Sequence, residues 1–67
     1  MSELNLLCIE IDELTKGRNN LEQALNHFRE CESITEEQYQ NLGDLLEEVN
    51  DTLMNKQIEL ERMEELI

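Results

Sequence analysis

The chain has 67 residues, with 17 Asp and Glu against 5 Lys and Arg and a formal net charge of −12. That charge argues against direct binding to nucleic acid or to an anionic membrane, because both repel it. A chain this short forms one small domain, whose core seldom supplies more than about 3–5 kcal/mol without a disulfide, a metal or a partner. No run of about 18 apolar residues occurs, so no transmembrane helix is expected. No basic N-terminal stretch marks a secretory signal, and the expected address is the cytoplasm. Twelve leucines and the absence of proline favour helix over sheet.

Ser2 is placed to cap a first helix, with Glu3 in its first turn. Apolar spacing then alternates by three and four through Leu4, Leu7, Ile11, Leu14, Arg18, Leu21, Leu25 and Phe28. A strand needs alternation by two, which is nowhere sustained. The poor helix formers of Lys16-Gly17-Arg18-Asn19-Asn20 leave room for a break and a three-helix chain. The unbroken heptad phase across this segment favours one helix, because a loop has no reason to preserve it. The phase is lost at Glu30-Cys31-Glu32-Ser33-Ile34-Thr35.

Thr35-Glu36-Glu37-Gln38 then has the form of a capping box, with Ile34 and Tyr39 set as a hydrophobic staple. The second series runs Tyr39, Leu42, Leu46, Val49, Leu53, Lys56, Leu60, Met63, Ile67. Gly43 inside it costs about 1 kcal/mol relative to Ala. It either permits close packing or is simply tolerated. The predicted fold is all-α: an antiparallel, coiled-coil-like two-helix hairpin spanning 1–67, with helices at about 3–31 and 36–66 and a turn at about 32–35.

Pairing Phe28 with Tyr39 across the turn places Leu25 against Leu42, Leu14 against Leu53 and Leu7 against Leu60. Arg18 falls opposite Val49, near Glu47 and Glu48. Lys56 falls opposite Ile11, near Glu10 and Asp12. Both cations are expected to lay their stems on the seam and extend their heads to rim carboxylates. Cys8 and Cys31 stand about 34 Å apart on one continuous helix. They are therefore expected to be buried or interfacial thiols rather than a disulfide or a zinc site.

Catalytic, cofactor and metal chemistry is not expected. The single histidine, His27, lacks the Glu-x-x-His spacing of a di-iron bundle, since Ala24 stands three residues before it. No calcium loop is present, and neither Ser2 nor Ser33 sits in a nucleophile elbow. Paired glutamates such as Glu47-Glu48 read as solvated faces. The informative residues are apolar but off the seam: Leu6, Ile9, Leu45, Met54, Ile58 and Leu66, with Cys8 beside them. They are expected to bind a partner, or else a second copy of the chain. The antiparallel register brings Ile9 level with Ile58 near the open end of the hairpin. A separate reading takes the acidity itself as functional, a phage-type DNA mimic occupying a basic groove.

The turn followed by Glu36-Glu37-Gln38-Tyr39-Gln40 and an amphipathic helix with Leu45, Leu46 and Val49 resembles the small co-chaperones of needle subunits in bacterial type III secretion. The resemblance implies a helical hairpin that binds a tetratricopeptide-like chaperone. That chaperone in turn holds the needle subunit in the cytoplasm. It further implies that the off-seam residues form the docking face.

Overall fold

The computed structural model describes residues 2–66, and two helices hold nearly all of them: α1, Glu3–Arg29, and α2, Glu36–Glu65. Ser2 is extended, and its hydroxyl accepts from the Asn5 amide at 3.2 Å, satisfying one of the free donors of the first turn. α1 passes through Gly17 without interruption, so the chain has two helices and not three. It ends at Arg29, about two residues short of the predicted limit. There the Cys31 amide donates to the Phe28 carbonyl at 3.1 Å and tightens the exit. No left-handed residue is used at this exit, in keeping with the absence of a glycine there.

The start of α2 is the capping box expected of Thr35 and Gln38. The Gln38 amide donates to the Thr35 hydroxyl at 3.1 Å, and the Thr35 amide donates to the Gln38 side-chain carbonyl at 3.0 Å. Thr15 and Thr52, both inside helices, donate their hydroxyls to the carbonyls of Ile11 and Glu48 one turn earlier. Neither therefore competes for a backbone amide. Thr15 is half-buried, so its polar atom is satisfied where it lies.

The two helices pack antiparallel into a rod of 51 × 16 × 14 Å. Every seam residue of both heptad series within the described residues is buried or half-buried; Ile67, the last of them, lies outside that range. Full burial is nevertheless confined to two hydrophobic side chains, Leu7 at 6% and Leu53 at 1% exposure. A two-helix layer has no third element behind it, so one edge of most seam residues stays in contact with water. Glycine plays no part in bringing the helices together. A Cβ built on Gly17 or Gly43 meets nothing within 4 Å, so Gly43 is tolerated and not required by the packing.

The two seam cations behave differently. Lys56 crosses the seam and donates to the Glu10 carboxylate, as predicted. Asp12 pairs instead with Lys16, one turn along α1. Arg18 departs from expectation: it forms no ion pair with Glu47 or Glu48. Its terminal nitrogen donates to the Asn19 side chain at 3.3 Å, and its Nε is buried without a partner. The reason lies in the heptad geometry. Glu47 and Glu48 follow the seam residue Leu46 directly, which puts them on the outer face of α2. The adjacent Asn19 carbonyl is the nearer acceptor.

Candidate functional site

The fold leaves the six predicted contact residues uncovered. Leu6, Ile9, Leu45, Met54, Ile58 and Leu66 are all exposed, from 42% for Ile58 to 87% for Leu66. They do not share one face. With the seam residues at heptad positions a and d, positions e and g flank the seam. In an antiparallel pair, the g residues of both helices line one side and the e residues the other. Leu45 and Leu66 are g residues, and Leu6 stands at c, next to g. Met54, at b, belongs to the opposite side. Ile9 and Ile58 are both f residues, so they stand on the two outer backs of the rod. Although level in the register, they point away from each other. The expected gathering of Ile9 with Ile58 at the open tip therefore does not form one surface. Leu45 lies at the other end, beside the turn.

What sequence reading missed is a set of grooves along the g side. The first, of about 540 Å³, lies by the turn among Phe28, Cys31, Ile34, Leu42 and Leu45, with the polar edges of Ser33, Gln38 and Asn41. The second, of about 510 Å³, occupies the middle and is lined by Leu14, Gly17, Leu21, Val49 and Thr52 between Glu10, Glu13 and Lys56. A third, of about 310 Å³, continues to the open end past Leu6, Leu7 and Met63, rimmed by Glu3, Glu10 and Glu59. The cause is visible in the sequence. Between Glu10 and Cys31, α1 places only Gly17 and Ala24 on this flank, and neither carries enough side chain to roof the seam. On the e side the equivalent positions of α1 carry Thr15, Glu22 and Arg29, and the groove there, among Leu25, Tyr39 and Leu46, is smaller, at about 300 Å³.

Charge along this side is uneven. The turn-end groove is lined by no charged residue. Toward the open end stand Glu3, Glu10, Glu13 and Glu59, against the one ammonium of Lys56. Lys56 is held above its ordinary pKa of 10.5, first by the hydrogen bond to Glu10 and then by the field of Glu10 and Glu59, with partial desolvation opposing them. The Lys56 side chain is 30% exposed and that of Glu10 37%, so water screens the pair.

Other chemistry-bearing residues are scattered. Both cysteines are free thiols, but neither is buried in the hairpin as expected: Cys8, at an e position, is exposed, and Cys31, just past the end of α1, is half-buried. His27 is exposed, its ring meeting that of Phe28 edge-on at 5.4 Å. Among the described residues, no group of three or more His, Cys, Asp or Glu is placed to hold a metal ion. No helix among them is long and apolar enough to cross a membrane.

The chain thus belongs to the class of all-α antiparallel helical hairpins, acidic outside, with its roomier grooves on the g side. No family model matches it, and no match emerges among curated proteins or solved structures.

Proposed function

We propose that the chain is a non-enzymatic helical co-chaperone or adaptor. In this reading it docks in the cytoplasm on a helical-repeat, tetratricopeptide-like chaperone that holds a type III secretion needle subunit. One observation carries the docking role. Two hydrophobic side chains, Leu7 and Leu53, are buried, while six large ones remain exposed. A hairpin with so little interior is only marginally stable alone, and it gains stability from any larger helical surface that binds its folded form. Amphipathic helices laid in apolar grooves are a common way of making such contacts. The narrower assignment, to a needle-subunit chaperone, rests on the resemblance at Glu36-Glu37-Gln38-Tyr39-Gln40.

Co-purification of the tagged chain from its native host tests this reading, with partners identified by mass spectrometry. The expected partner is a helical-repeat chaperone carrying a small helical cargo, retained in high salt because apolar contacts hold it. Recovery instead of an enzyme with a basic groove, released by moderate salt, would overturn the proposal in favour of nucleic-acid mimicry.

A further inference from the structure

We propose that the g side of the hairpin accepts a single amphipathic helix of a partner protein, basic at the end that lies by Glu3, Glu13 and Glu59, to complete a three-helix bundle. This deepens the docking role above and rests on it.

Three observations converge. The grooves at the turn, the middle and the open end all lie on one side of the rod; the first two are apolar, and the more polar open-end groove adjoins the middle one at Glu10 and Lys56. The floor along this side is the half-buried edge of the seam: Leu14, Leu21, Leu42 and Val49. Gly17 lines the middle groove, where a glycine costs α1 about 1 kcal/mol relative to alanine. Nothing in the hairpin requires it, since a Cβ there meets open space. A helix lying over the middle groove can approach α1 closely at this point, because a glycine has no side chain to hold it off.

Charge selects the occupant. The open-end half of this side carries four glutamates against Lys56, and Lys56 is already paired with Glu10. A second copy of the chain would bring another net −12 to a surface of the same sign. A helix with Lys or Arg beside its apolar stripe meets complementary charge at one end and an uncharged, apolar groove at the other. About 20 residues, ~30 Å of helix, suffice to run from the open end past the middle.

The test uses the full chain and two synthetic peptides of about 20 residues. The peptides share one Leu/Ile stripe and differ only in flanking residues at one end, Lys in one and Glu in the other. Binding is measured by fluorescence anisotropy, with sedimentation equilibrium of the chain alone. The Lys peptide is expected to bind one to one, at least roughly tenfold more tightly than the Glu peptide, and less tightly as salt is raised. Gly17→Gln sets a long side chain, whose Cβ meets nothing in the hairpin, over the middle groove and should weaken binding by roughly tenfold or more. Gly43→Gln, on the opposite flank, should leave it unchanged. The pair Glu13→Gln and Glu59→Gln should abolish the preference for lysine.

Equal effects of Gly17→Gln and Gly43→Gln, or no preference between the peptides, would overturn the proposal. So would a homodimer that Gly17→Gln dissociates, which would make a second copy the occupant. If the native partner of the chain is recovered equally well by wild type and Gly17→Gln, the docking role stands and this assignment of its surface fails.

Discussion

Replacing Leu53 with alanine is the most direct probe of how the hairpin is held together. Leu53 is the most completely buried side chain in the described chain, at 1% exposure, and the seam register sets it against Leu14. Truncating a buried leucine costs about 2–5 kcal/mol, and the figure falls when the site can collapse or admit water. The rod is only 16 × 14 Å in section, so no outer layer holds a cavity open. The low end, about 2–3 kcal/mol, is therefore expected. Against a total near 3–5 kcal/mol, this leaves about 0–3 kcal/mol, so a measurable fraction of the chain is unfolded before urea is added. Urea unfolding followed by circular dichroism at fixed chain concentration measures the loss, with Leu45→Ala as the half-exposed control at under about 1 kcal/mol. Equal losses for the two variants would refute the reasoning, because they would mean that Leu53 does not occupy the middle of the interface.

Gly43→Ala and Gly17→Ala should each raise stability by up to about 1 kcal/mol in the same assay, since both added methyl groups enter open space. Thr35→Ala removes an acceptor of the capping box and should cost about 1 kcal/mol, with faster amide exchange confined to the first turn of α2. Arg18→Leu should stabilise the hairpin by about 1 kcal/mol, because it removes a buried, unpartnered Nε from the seam; a loss of stability would show that the guanidinium has a partner in solution. Lys56 has a folded-state pKa above its ordinary 10.5, so its pairing with Glu10 contributes in full below that value and is lost as pH rises through the folded value. Lys56→Met should therefore flatten the alkaline limb of the urea midpoint between about pH 9 and 12, and an unchanged slope would show that the pair adds nothing in solution.

The heptad spacing alone located both helices and every described residue that is sheltered in the seam, because a period of 3.5 has one meaning in a chain with so few alternatives. The capping box was equally legible, since Thr35 and Gln38 satisfy each other locally and need nothing from the rest of the fold. Lys56 found Glu10 because that contact follows from register. The fate of Arg18 was not legible. Its partner depended on side-chain reach across the seam, and a closer acceptor on Asn19 won. The grooves of the g side were missed for a different reason. Exposed apolar residues such as Ile9 and Met54 attract notice in a sequence, whereas the feature that opens these grooves is a lack of side chain at Gly17 and Ala24. Bulk absent from one flank is visible only once the e and g positions are compared side by side.

The slenderness of the rod has a consequence for weighing it. Its Cα radius of gyration is 15.4 Å, where a compact chain of this length would have about 11 Å. A value of 15.4 Å is that of a globule of roughly 170 residues, and a lone hairpin will elute from a size-exclusion column ahead of a spherical protein of its own mass. Elution volume thus speaks to shape before it speaks to stoichiometry, and the copy number of this chain is a matter for light scattering or sedimentation.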